Sequence, residues 1–190
     1  MKRIIGLTIA VLLSVSMLST GVWSFWADTE SSANNQLTAG TLDLKTNDAD
    51  GVTLTLNATS LKPNGTAGPS TITLKNVGSL NAATLDIAFS YTESDGAPNV
   101  VNRTADDTAA IIEVTTLTYN GANLLTSVSD SNLNGWKDVQ DLKNANLTGQ
   151  SGINSNASKN FSITIKIRSG INNNFQADGV NITMTFTLQQ

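Results

Sequence analysis

A strict two-residue alternation of apolar and polar side chains recurs along this chain, and it restricts the fold more than any other feature. Leu85, Ile87, Phe89 and Tyr91 share one parity, with Asp86, Ala88 and Ser90 on the other. Phe161, Ile163, Ile165 and Ile167 alternate with Ser162, Thr164, Lys166 and Arg168. Val180, Ile182, Met184, Phe186 and Leu188 alternate with Thr183, Thr185 and Thr187. Val52, Leu54 and Leu56 follow the same rule, as does the run Thr71–Lys75, and Leu42 with Leu44 is a shorter case. Side chains of a strand point alternately to its two faces, so such runs are antiparallel strands with one face in the core and one in water. Ile111–Tyr119 breaks parity, because Ile112 and Val114 lie on one and Leu117 and Tyr119 on the other. A bulge at Thr115 and Thr116 returns both pairs to the core.

Turn-forming clusters punctuate these runs at Asn47–Gly51, Lys62–Pro69, Asn76–Ser79 and Asp95–Pro98. Helix is scarce. Asp106–Ala110 suits a single turn, and Leu133, Trp136, Val139 and Leu142 predict a short helix capped by Asp130 or Ser131 and weakened by Gly135. Asn144–Asn160 is polar and aperiodic, which predicts an exposed loop. About seven or eight short strands with so little helix predict an all-β fold, an antiparallel two-sheet jelly-roll sandwich with one or two short helices. Its expected core includes Leu85, Ile87, Phe89, Ile163, Ile165, Ile182, Met184 and Phe186.

The first residues have the layout of an export signal. Lys2 and Arg3 precede an apolar run, Ile4–Leu18, followed by Ser19, Thr20 and Gly21. That run is shorter than the roughly 20 residues of a membrane-spanning helix. Cleavage after Ser24, with Val22 at the −3 position, makes residues 1–24 a signal peptide and starts the mature chain at Phe25. An uncleaved membrane anchor and a pilin-type leader cut near Gly6 are the alternatives. Without Lys2 and Arg3, 9 basic residues face 15 acidic ones, a net charge of −6. Nucleic acid repels such a surface, and no basic stripe offsets it.

The chain has no His and no Cys. That removes the Ser-His-Asp triad, the Cys-His pair and the His-Glu-x-x-His zinc motif. Paired carboxylates are the remaining catalytic option, at Asp28/Glu30, Asp48/Asp50, Asp106/Asp107 and Asp138/Asp141. All are expected in loops, exposed turns or a short helix beside lysines, as solvated acids. No catalytic, cofactor or metal residue is therefore assigned. Asn47–Gly51 has a faint likeness to a calcium loop but lacks its first Asp and its distal Glu, so a turn is expected there, with loosely bound calcium at most. Of the Asn-x-Ser/Thr sequons, Asn64, Asn102, Asn146 and Asn156 fall in expected loops and are the candidates for glycosylation. Trp26 and Trp136 are expected in the core rather than on a sugar-binding face.

The order of several blocks carries a resemblance. Phe25-Trp26-Ala27-Asp28 is followed by Leu37–Leu44, by Leu61-Lys62-Pro63-Asn64-Gly65 and by Leu74–Leu80, then by Ala105–Thr115 and Phe175–Phe186. The chain resembles the TasA/camelysin family of secreted biofilm-matrix fibre proteins and the related bundling pili of archaea, over its whole length. Pro63 is followed by Asn64 and Gly65 rather than directly by Gly and Asp, a modest departure. The resemblance implies a jelly roll, a dedicated signal peptidase and polymerisation of the protein with itself into extracellular fibres. The mature N-terminus of one subunit would complete the sheet of the next. On that basis residues 25–37 are the donor segment and 38–190 the jelly-roll domain. Phe25, Ala27, Thr29, Ser31, Ala33 and Leu37 share one parity, bulky at the ends and slim between, while Trp26, Asp28 and Glu30 lie on the other. At about 3.4 Å per residue the segment reaches roughly 40 Å. An accessory protein that nucleates or anchors the fibre is left open. The metallopeptidase label of some relatives finds no zinc ligands in a chain without His or Cys. The competing expectation on the same sandwich is a monomeric cell-surface carbohydrate-binding module.

Overall fold

The alternating runs become the inner faces of two antiparallel sheets. The structure is a computed structural model that describes residues 40–47, 63–97 and 101–190. All of these belong to one compact unit, Gly40–Gln190. The expected signal peptide, the donor segment with Phe25–Leu37, and the expected strand at Val52–Leu56 lie outside the described residues, as do Asp28, Glu30, Asp48 and Asp50.

The described strands are β1 (Leu44–Thr46), β2 (Thr66–Asn76), β3 (Thr84–Glu93), β4 (Ile112–Tyr119), β5 (Ala122–Asn123), β6 (Leu147–Ser151), β7 (Ser158–Ile167) and β8 (Val180–Gln189). Two short helices join them, α1 (Ala105–Ala109) and α2 (Val139–Asn144). One sheet has the order β1-β2-β7-β4-β5 and the other β6-β3-β8. From β2 onward the chain crosses between the sheets at nearly every connection, as the expected two-sheet sandwich requires. Phe161 of β7 closes the gap between them: its ring is 6.3 Å from that of Phe89 on β3 and 5.2 Å from that of Phe186 on β8.

The bulge in β4 lies where the parity break placed it. Val114 faces Ile165 and Thr116 faces Thr164, so Thr115 is the extra residue. Ile112, Val114, Leu117 and Tyr119 are all buried as a result. The turn at Asn76–Ser79 is held from inside. The buried Asn76 amide donates to the carbonyls of Leu80 at 2.8 Å and Ile153 at 2.9 Å, and its oxygen accepts from the Gly78 amide at 3.0 Å. Gly78 allows Thr41–Asp43 to pass close by, since a Cβ there would lie 2.3 Å from the Thr41 carbonyl oxygen.

Five expectations are corrected. Ile182, Met184 and Phe186 do line the inner face, but they are half-buried rather than buried. Among the described residues β8 has a neighbouring strand on one side only, so its apolar row sits at the margin of the core. The expected helix around Leu133–Leu142 begins only at Val139, capped by Asp138. Leu133 is 87% exposed and Trp136 41% exposed, so neither joins a helical apolar face or the core. Asn144–Asn160 is not a loop throughout: β6 pairs with β3, and Leu147 and Ile153 are fully buried. Thr164, on the outer face of β7, is also covered, because β2 and β4 flank that strand.

Candidate functional site

Two features stand out on this sandwich, an uncharged sheet edge and an Asp/Asn-rich loop. Among the described residues this edge is β8, ten residues long, paired with β3 in unbroken register from Val180 opposite Glu93 to Gln189 opposite Thr84. Its sequence, Val-Asn-Ile-Thr-Met-Thr-Phe-Thr-Leu-Gln, contains no charge and no proline. Folded proteins protect edges with Lys, Pro, bulges or brevity, because unpaired amides and carbonyls template further strands. β8 carries none of these devices.

The loop connects β5 to α2. Asp130 accepts from the Asn134 amide at 3.1 Å and the Gly135 amide at 2.8 Å. The Asn132 oxygen also accepts from the Asn134 amide, at 3.2 Å. The side-chain amides of Asn132 and Asn134 donate to Asp138 Oδ2 at 3.2 and 2.7 Å. Asp138 and Asp141 form a reciprocal cap at the start of α2, each accepting from the other's backbone amide. Asp141 further accepts from the Ser131 amide at 2.7 Å and hydroxyl at 2.8 Å. The path needs left-handed backbone at Leu133 (φ 58°) and Gly135 (φ 86°). The segment is tied to β4, whose Val114 amide donates to the Lys137 carbonyl at 2.8 Å.

Asp138 and Asp141 were expected as solvated acids; they are instead 0% and 1% exposed. Burial holds the Asp138 carboxyl above the usual carboxylate range, against the hydrogen bonds from Asn134 and Asn132, and the neighbouring Asp141 pushes the same way. The other described acid pair is structural in a different way. Asp107 completes a capping box with Thr104 on α1. Asp106 accepts from the Tyr91 hydroxyl at 2.5 Å and lies 3.6 Å from Lys143, and the Tyr91 hydrogen bond holds its carboxyl below the usual range.

Asn64, Asn102, Asn146 and Asn156 are all exposed, Asn64 and Asn156 in turns with φ of 67° and 58°. Trp136 lies on the surface with the Arg168 guanidinium 4.8 Å from its ring centre. The Asp/Asn loop has a sequence signal of its own, more regular than that of Asn47–Gly51, in the spacing of Asp130, Asn132, Asn134, Gly135 and Asp141.

The fold defines a class of protein, an all-β sandwich of two antiparallel sheets. The camelysin metallo-endopeptidase family model matches residues 1–190, and the chain belongs to that family. Membership points to an extracellular or cell-surface protein. A comparison with curated proteins finds no match. Among the described residues no helix is long and apolar enough to cross a membrane. The donor set does not fit the metal in the family's name. A peptidase zinc is held mainly by His nitrogen or Cys sulfur, and the chain has neither residue.

Proposed function

We propose that this protein is a secreted structural subunit that polymerises head-to-tail into extracellular fibres, and that it does not act as a peptidase. The observation that carries this is β8: ten uncharged residues at a sheet margin, with the half-buried row Val180, Ile182, Met184, Phe186 and Leu188 on its inner side. A strand added there gains backbone hydrogen bonds and completes the cover over that row, which is how strand addition combines affinity with register. The N-terminal segment Phe25–Leu37 is the proposed donor. Its one-sided pattern matches the need, with Phe25 and Leu37 as terminal anchors and the slim Ala27, Thr29, Ser31 and Ala33 between them. A subunit that both gives and accepts a strand makes a non-closing contact, so the product is a filament rather than a dimer. Family membership supports a secreted structural role, and the missing His and Cys count against zinc proteolysis.

The test compares the mature chain with a chain lacking Phe25–Asn35, by negative-stain microscopy and light scattering. The mature chain is expected to form filaments and the shortened one to stay folded and monomeric. Adding the missing segment as a free peptide should raise the melting temperature of the shortened chain by mass action. Normal filaments from the shortened chain would refute the donor-strand mechanism.

A further inference from the structure

We infer that residues 130–141 are a Ca²⁺-binding loop, with Asp130, Asn132, Asn134, the Trp136 carbonyl, Asp138 and Asp141 as its ligands. Two independent observations carry this, one from residue types and one from charge. A helix-flanked calcium loop of 12 residues takes oxygen ligands from positions 1, 3, 5, 7, 9 and 12, the seventh through its backbone carbonyl, with glycine at position 6. Counted from Asp130, those positions are Asp130, Asn132, Asn134, Trp136, Asp138 and Asp141, and the sixth is Gly135. There are two departures: no α-helix leads directly into Asp130 among the described residues, and the last position holds Asp instead of Glu. The Asp shortens that arm by a methylene group and keeps its charge.

The second observation is buried charge without a counter-charge. The Asp138 and Asp141 side chains are more than nine-tenths buried, and among the described residues no lysine or arginine forms an ion pair with either. The nearby ammonium groups are committed elsewhere: Lys137 donates to the carbonyls of Leu125 and Val128, and Lys143 faces Asp106. Hydrogen bonds from Ser131, Asn132, Asn134 and the cap amides offset part of the cost of withdrawing these adjacent carboxylates from water, and a cation between them offsets their mutual repulsion.

The three carboxylates do not converge as a preformed three-acid centre among the described residues, because Asp141 is turned onto Ser131. Binding therefore needs local motion. A half-turn of the Asn132 and Asn134 amides replaces the NH₂ groups now on Asp138 with oxygens facing the ion, and Asp141 exchanges Ser131 for it. The donors are all oxygen, which suits a hard cation and not zinc. Six protein ligands favour Ca²⁺ over Mg²⁺, which keeps several of its waters. The bound ion would fasten the crossover between the sheets to β4, through the Lys137–Val114 hydrogen bond.

The experiment is a thermal melt of the mature protein in chelator, in 10 mM CaCl₂ and in 10 mM MgCl₂, with Tb³⁺ luminescence sensitised by Trp136 as a second readout. Calcium loops of extracellular modules bind at about 10⁻⁴–10⁻³ M, so Ca²⁺ should raise the melting temperature by roughly 3–10 °C. Mg²⁺ should raise it by less. Asp130→Asn and Asn132→Ala, both at half-buried positions, should each reduce the Ca²⁺ shift and the Tb³⁺ emission. Trp136→Phe should weaken the emission and keep the Ca²⁺ shift, since the ligand at that position is the carbonyl. A melt insensitive to Ca²⁺, an equal response to Mg²⁺, or a Ca²⁺ shift unchanged in both Asp130→Asn and Asn132→Ala overturns the assignment.

Discussion

Phe161 and Phe186 face each other across the sandwich, yet they should contribute unequally to stability. Phe161 is fully buried on the central strand of the five-stranded sheet, while Phe186 is half-buried on the marginal strand β8. Phe161→Ala removes a whole buried ring, about 3–5 kcal/mol. It also removes two ring contacts, to Phe89 at 6.3 Å and to Phe186 at 5.2 Å, each worth about 0.5–1.5 kcal/mol, part of which the ring-burial figure already includes. The loss should fall near the top of the range, at about 5 kcal/mol, a large fraction of a typical domain's stability. Phe186→Ala loses one such contact and roughly half the burial, so about 2 kcal/mol is expected. At roughly 2–4 °C per kcal/mol for a chain of this size, the melting temperature should drop by about 10–20 °C for Phe161→Ala and about 4–8 °C for Phe186→Ala. Urea unfolding of unpolymerised protein followed by circular dichroism gives both free energies, and unchanged m-values would show that two-state comparison is valid. An equal or larger loss for Phe186→Ala would refute the placement of β8 at the margin of the core.

Other consequences can be measured on the same protein. Asn76→Ala should cost about 2–4 kcal/mol in the same melts, because it strips partners from the carbonyls of Leu80 and Ile153 inside the fold. Deleting Thr115 should abolish the folded state, because without the bulge either Ile112 and Val114 or Leu117 and Tyr119 must turn to the outer face; a soluble, cooperatively melting deletion would contradict this. Asp106 has a lowered carboxyl pKa in the fold, so its contribution is present above the unfolded value of 3.8 and is lost as pH falls through the folded value. Tyr91→Phe should therefore make stability less sensitive to acid, and an unchanged slope below pH 4 would count against the Tyr91 hydrogen bond as the cause.

Local side-chain parity was enough to derive β2, β3, β4, β7 and β8, their inward faces and the β4 bulge. In a half-buried sheet one residue of slippage exposes a whole apolar face, so Leu85–Tyr91 and Phe161–Ile167 admit only one orientation. The single-turn helix α1 and the lack of thiol or imidazole chemistry were equally plain from the residues. Tertiary structure decided what parity cannot express. Leu147–Ser151 has no alternation, and it becomes β6 because β3 offers a free row of backbone groups and Leu147 has a place in the core. Asp138 and Asp141 read as surface acids on a helix beside lysines, and only the docking of the loop on β4 withdraws them from water. The same alternating pattern at Phe161–Ile167 and Val180–Leu188 yields a central strand in one case and a marginal strand in the other. Strand order comes from long-range pairing, and pairing is a property of the whole sheet rather than of any strand within it.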